Sequence, residues 1–244
     1  MKSSGYLITS DRHKIHYDRY SGNHDKVIII AHGFFNSKQA VLLMKLAEDL
    51  SNEFDVIIFD FRGHGLSEGL FYWTSKEYLD LLAVVEFAKK HYAKIGVIGF
   101  SLGAATGIIT ASKTAHIDSI VAISAPAEFG KIDYRFWKLD IKNELFYNLF
   151  GKGRHGKGVR PGPFWFNKEK PLDLVKKMQT PIFYIHGDKD WVVDHRHSEK
   201  LYNHTFGFKR LNIIKNGPHA EYLFKEYPDE LLMLSRAWFH ETLN

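Results

Sequence analysis

The chain contains no cysteine in 244 residues, which excludes a disulfide framework, a thiolate metal site and a thiol nucleophile. No apolar run approaches the length of a membrane span; a stretch such as Val27 to Ala31 has the length of a buried strand. The opening Met1-Lys2-Ser3-Ser4-Gly5 leads only into the short apolar stretch Tyr6 to Ile8, too little for the hydrophobic region of a secretory signal. A cytoplasmic protein without a membrane span is therefore the expectation. Charge of one sign is not concentrated either. The formal net charge is +5, but no basic helix or recognition motif accompanies it, so a solvated surface is read in preference to nucleic-acid binding. Fourteen histidines are many, yet the close pair His195 and His197 has no third ligand beside it, and no metal site is expected. Internal repeats are absent, as is any linker that would divide the chain.

What is present is apolar material, 45% of residues, enough for one large core. Tyr6 to Thr9 and Lys14 to Tyr20 alternate polar and apolar around Ser10-Asp11-Arg12-His13 and predict an antiparallel hairpin at a sheet edge. Lys26 to Ala31 and Asp55 to Asp60 are continuous β-branched runs of the kind buried on both faces, hence central parallel strands. Between them Ser37 is placed as the cap of a helix with Val41, Leu42, Met44 and Leu46 on its inner side. Tyr78, Leu81, Leu82, Val85 and Ala88 recur at helical spacing. Strands follow at Ile95 to Ile98, Ile117 to Ile123, Pro181 to His186 and Arg210 to Ile214, with helices over Ser198 to Phe206 and from Pro228. Strands alternating with helices predict a doubly wound, mostly parallel α/β sheet with helices on both faces, in a single domain over residues 1–244.

From Ala127 to Thr180 that rhythm breaks. A segment this long between strands is functional or mobile; it reads as an insertion, with a small helical part over Tyr134 to Phe150 and then a loop containing the basic tract Gly151 to Pro163. Lys131, Arg135, Lys138 and Lys142 fit a solvated helix face better than an acidic-substrate site.

The chemistry centres on Gly99-Phe100-Ser101-Leu102-Gly103, which follows an apolar run and opens onto Ala104-Ala105-Thr106-Gly107. Strand, tight turn and helix would hold Ser101 in strained backbone angles, with glycines allowing strand and helix to pass closely. The helix start points free N–H groups at any negative charge developing there. A serine nucleophile needs a base and a carboxylate that orients it, on loops after later strands. His186-Gly187-Asp188-Lys189-Asp190-Trp191-Val192-Val193 and Asn216-Gly217-Pro218-His219-Ala220 supply them. By residue type alone Asp188, Asp190 and Asp194 all qualify as the acid, and His32 and His64 could pass for bases.

These motifs, with His32-Gly33-Phe34 and Asp60-Phe61-Arg62-Gly63-His64-Gly65-Leu66-Ser67, resemble the α/β-hydrolase superfamily, in particular its small serine esterases and monoglyceride-lipase-like members. The resemblance spans the chain except Ala127 to Thr180. It implies Ser101 as nucleophile, His219 as base, Asp190 as the residue orienting His219, and the backbone N–H groups of Phe34 and Leu102 as oxyanion donors. His32 and His64 become loop braces, and no cofactor or metal is required. A serine at this position argues against the haloalkane dehalogenase and epoxide hydrolase branches. The implied activity is cleavage of small-molecule carboxylic esters with short to medium or aromatic acyl groups through an acyl-enzyme. The 127–180 insertion would be a lid, and Phe35, Trp191, Tyr134 and Trp137 pocket residues. A thioesterase or amidase with the same triad, a cofactor-free haloperoxidase or acyltransferase, and a non-catalytic binding member are the alternatives left open. Monomer and homodimer are equally compatible with the sequence.

Overall fold

The computed structural model describes residues 1–129 and 158–244. Among them, eight strands form one sheet: β1 (Lys2–Ile8), β2 (Lys14–Tyr20), β3 (Lys26–Ala31), β4 (Asp55–Phe59), β5 (Lys94–Phe100), β6 (Ser119–Ile123), β7 (Ile182–Gly187) and β8 (Lys209–Ile214). Their order is β1-β2-β4-β3-β5-β6-β7-β8. The first two strands pair antiparallel with each other and β2 pairs antiparallel with β4, while every later pair is parallel. This is the mostly parallel, doubly wound sheet expected, with the N-terminal hairpin at its edge.

The continuous apolar runs are explained by burial on two sides. Val27, Ile29 and Ala31 of β3 face one core with Ile57, Phe59, Val97, Ile120 and Tyr184. The alternate residues Ile28 and Ile30 face a second core with Val56, Ile58, Ile98, Val121 and Phe183. Helices α2 (Tyr78–Lys89) and α3 (Leu102–Ala111) cover the first face through Leu81, Val84, Val85, Ala104 and Ile108. Helix α1 (Val41–Leu50) covers the second through Leu43, Leu46, Ala47 and Leu50. At roughly 1.5 to 3 kcal/mol per fully buried large apolar side chain, these two layers are the main source of stability.

Four further helices, α4 (Pro171–Leu174), α5 (Arg196–His204), α6 (Ala220–Glu226) and α7 (Pro228–Thr242), complete the described elements. No helix among the described residues is long and apolar enough to cross a membrane.

Helix α1 corrects one expectation. Its N-cap is Ala40, without a side-chain cap bond, and Val41 is exposed while the buried stripe runs through Leu43, Leu46, Ala47 and Leu50. Ser37 instead closes the preceding turn, its hydroxyl accepting from the Gln39 N–H at 3.1 Å and its carbonyl from the Ala40 N–H at 3.1 Å. A turn of this kind offers the same serine signal one turn too early.

The expected helix Tyr134 to Phe150 lies outside the described residues, as do Tyr134 and Trp137. The segment leaves and rejoins the core at one place: the Leu172 N–H donates to the Ala127 carbonyl at 3.1 Å, and Leu172 and Val175 are already in the core before Pro181. Residues 158–163 run along the loop between β4 and α2. The Arg160 N–H donates to the Gly63 carbonyl at 2.7 Å, the Phe71 N–H to the Arg160 carbonyl at 2.9 Å, and the Gly162 N–H to the Phe71 carbonyl at 2.8 Å.

Strand order fixes where a site can form. From β3 the chain passes to β4 on one side, then crosses back to β5 on the other. The loop leaving β3 leads to α1 on one face and the turn leaving β5 leads to α3 on the opposite face. A crevice opens between two such diverging connections at the carboxyl ends of the strands. His32-Gly33-Phe34 and Ser101 form its two walls.

Candidate active site

Ser101 occupies the turn between β5 and α3 with φ 49° and ψ −107°, a left-handed conformation that side chains avoid. Its neighbours make the turn possible. A Cβ at Gly99 would stand 2.5 Å from the Ala104 Cα, and one at Gly103 would stand 2.1 Å from the Ala31 carbonyl oxygen. Both glycines of the pentapeptide are therefore required by close backbone approach. The Ser101 N–H donates to the Ile123 carbonyl at 2.8 Å, anchoring the turn to β6.

The loops after β7 and β8 meet over a second close approach. A Cβ at Gly187 would lie 2.0 Å from the Gly217 carbonyl oxygen, and the Asp188 and Lys189 N–H groups donate to the Ile214 and Gly217 carbonyls at 3.1 and 3.0 Å. This contact sets Asp190 beside His219: His219 Nδ1 lies 2.6 Å from Asp190 Oδ2. The Asp190 side chain is fully buried, and its other oxygen accepts the Val192 and Val193 N–H groups at 2.9 and 2.8 Å. Burial alone would raise its carboxyl, but the His219 charge and hydrogen bonds from His186 and His219 hold it well below the usual carboxylate range. The other two acids are committed elsewhere. Asp188 accepts the Asn216 N–H at 2.6 Å, and Asp194 is paired with Arg196 at 2.8 Å.

His186, at the end of β7, is tied closely to the acid. Its Nε2 lies 3.0 Å from Asp190 Oδ2 and 2.8 Å from the Val193 carbonyl, and its Nδ1 lies 2.7 Å from Ser198 Oγ. Because both partners of Nε2 are acceptors, that nitrogen carries the proton and donates. Two residues without any motif link the base to the rest of the site. Ser124, at φ 52°, accepts the Ala220 N–H on its Oγ at 3.0 Å, and the Ser124 N–H itself donates to the Ile185 carbonyl at 2.9 Å. Glu221 Oε1 accepts the Gly33 N–H at 2.9 Å.

On the opposite wall, His32 braces the loop in the manner the resemblance implied. The Phe61 N–H donates to His32 Nε2 at 3.0 Å, which leaves the proton on Nδ1, 2.7 Å from the Gly33 carbonyl oxygen. Burial depresses this imidazole to about 4, so it is neutral. With the Gly33 carbonyl held by His32, the planar trans peptide turns the Phe34 N–H to the other side. Among the described residues no acceptor is bonded to the N–H of Phe34 or Leu102. His64 is fully buried, its Nδ1 3.1 Å from the Arg62 carbonyl, and burial keeps it neutral.

The Phe34 ring joins an aromatic cluster, with centroids 5.1 Å from Phe71 and 5.3 Å from Trp73. Phe35, at φ 58°, packs 4.0 Å from Phe34, and Trp191 faces Tyr222 at 6.3 Å. Phe71 and Trp73 lie in the loop after β4, where no residue pattern marked them. Among the described residues no group of His, Asp or Glu side chains could hold a metal ion.

Comparison with known proteins gives the following relatives. The family described as alpha/beta hydrolase fold matches residues 26–144. Uncharacterized protein YqkD of Bacillus subtilis (strain 168) is 32% identical over 213 residues, covering 79% of this chain and 64% of that protein, so the chain spans less than two thirds of that relative. Serine hydrolase BPHL of Homo sapiens is 24% identical, covering 91% of this chain and 81% of that protein. The solved structure of Pyrococcus furiosus esterase Pf2001 superposes with a TM-score of 0.82 at 26% identity, covering 100% of this chain and 92% of that one.

Proposed function

We propose that this chain, whose family match and fold are those of the α/β hydrolases, is a serine hydrolase of carboxylic esters, with Ser101 as nucleophile, His219 as general base and Asp190 as the residue orienting His219. The observation that carries this reading is the pairing of a strained serine at the β5–α3 turn with a buried, ionised Asp190 bonded to His219 Nδ1. With Nδ1–H donated to the carboxylate, Nε2 is the nitrogen left to take the Ser101 proton.

In this mechanism Ser101 Oγ attacks the ester carbonyl and its proton passes to His219. The developing oxyanion accepts from the Phe34 and Leu102 N–H groups. Collapse expels the alcohol, protonated by His219; water activated by His219 then releases the acid and frees the serine. A single preorganised donor of this type contributes about 3 to 4 kcal/mol to the barrier reduction.

The partly exposed Phe34 and Trp73 rings, backed by the buried Phe71, favour short to medium or aromatic acyl groups. We assign the 127–180 insertion as a lid within the single domain, with Phe35 and Trp191 as further lining. Hydrolysis of p-nitrophenyl esters from acetate to palmitate, by wild type and Ser101→Ala, tests the reading. Wild type is expected to turn over the shorter esters and the variant to lose roughly a millionfold. A wild type silent on every ester would overturn it.

A further inference from the structure

We infer that Glu221 is a positioning residue for the oxyanion loop, coupling the helix that follows His219 to the peptide that presents the Phe34 N–H. The inference rests on the ester-hydrolase reading above and goes beyond it, since Glu221 belongs to none of the motifs that carry that reading.

The argument starts from what holds the Gly33–Phe34 peptide. His32 bonds to its carbonyl at 2.7 Å and is itself held by the Phe61 N–H at 3.0 Å, which ties the peptide to the loop after β4 on the side away from the base. That bond sets the tilt of the peptide and leaves its distance from the base undetermined. The Gly33 N–H, one atom group upstream, donates to Glu221 Oε1 at 2.9 Å across 188 residues of sequence. Glu221 lies two residues after His219, in the first turn of α6. Ala220 between them is held at φ 45° with its N–H on Ser124 Oγ at 3.0 Å. The His219 turn is thus fixed to β6 on one side and, through Glu221, to the oxyanion loop on the other.

Gly33 itself is shaped for this bond: a Cβ there would stand 2.6 Å from Glu221 Oε1. Without Glu221, the buried Gly33 N–H loses its acceptor and the loop can turn about Gly33. The Phe34 N–H then points away from the position where the oxyanion forms. Misplacement of a reacting or stabilising group by about an ångström lowers rates by as much as ~100-fold while ground-state binding, made by other groups, persists.

The test compares wild type, Glu221→Ala and Glu221→Gln. Gln keeps a carbonyl acceptor for the Gly33 N–H and Ala removes it. Two readouts are taken, p-nitrophenyl acetate turnover and the rate at which a fluorophosphonate labels Ser101. In labelling, the Ser101 oxygen forms a bond to phosphorus, the P–F bond breaks, fluoride leaves and the serine proton passes to His219, so no ester preference enters. Expected for Glu221→Ala is a fall of roughly 10- to 100-fold in kcat and in labelling rate with KM within about threefold, and loss of amide-exchange protection at Gly33. Glu221→Gln should recover most of both. Equal impairment of Ala and Gln, or a folded Glu221→Ala with wild-type kcat and labelling, overturns the positioning role alone. A wild type that neither turns over esters nor labels at Ser101 overturns the hydrolase reading and this inference with it. If Glu221→Ala does not fold, Gly33→Ala replaces it, since the added methyl displaces the same carboxylate.

Discussion

Asp190 has donors on every side of its carboxylate, from two histidines and two backbone N–H groups. Such a group orients an imidazole only while it remains an acceptor at every position. Asp190→Asn puts an amide NH2 among those donors, and the imidazole answers by exchanging its tautomer, which leaves a proton on the nitrogen that should act as base. Turnover of p-nitrophenyl acetate is expected to fall by roughly 10^4-fold with the fold intact by circular dichroism; a loss under tenfold would contradict the assigned role. His32 makes a second expectation at this scale. The folded chain holds it neutral down to about 4, against an ordinary value of 6.5. The unfolded chain binds a proton in that interval and the folded chain does not. The stability from this residue is therefore whole above pH 6.5 and is lost as pH falls toward 4, by roughly 3 kcal/mol. An NMR titration of the His32 ring nitrogens should show the neutral Nδ1–H form at pH 5, and a transition near 6.5 would contradict it.

Between elements, the β7 and β8 loops approach so closely that Gly187 has no room for a methyl group. Because the obstructing atom is the backbone oxygen of Gly217, no side-chain rotation relieves the clash. Gly187→Ala should lower unfolding free energy by ~1 to 3 kcal/mol or more in urea titration, and lower turnover as Asp190 and His219 part; an unchanged midpoint would argue against the contact. Central strands were legible in the sequence because burial on both faces demands continuous β-branched runs, as in Val27 to Ile30. The turn at Ser101 and the loops carrying Asp190 and His219 could be located because each follows a strand in a short local pattern, whereas residue type alone left Asp188, Asp190 and Asp194 open as partners of His219. Ser37 misled because a turn and a helix start share the same hydroxyl chemistry, and the buried stripe through Leu43, Leu46, Ala47 and Leu50 shares only Leu46 with the one expected. The contacts of Ser124, His186 and Glu221 were invisible because each depends on a partner brought near by tertiary packing, without any fixed spacing along the chain.

For the molecule as a whole, the order of strands decides that the crevice lies between β3 and β5, and the remaining chain is arranged around it. The chain leaves the core after Ala127 and is joined back there by the Leu172 N–H, and from the 127–180 segment Leu172, Val175 and Met178 pack in the first core while residues 158–163 bond to the loop after β4. Replacing residues 130–157 by a short Gly-Ser linker should leave a folded protein that still hydrolyses p-nitrophenyl acetate, with its preference among longer esters altered. Unaltered chain-length preference would remove the lid assignment.

The backbone of Ser101 has a further consequence, one for selection on the sequence. A non-glycine residue at φ 49° and ψ −107° holds the folded state above the energy it could reach with glycine there. Ser101→Gly should therefore unfold later than wild type, by about 1 kcal/mol after glycine's own entropy cost is set against the relieved strain. A lineage released from the need to react would drift toward glycine at this position, and its persistence as serine would measure how strongly activity outweighs thermal tolerance.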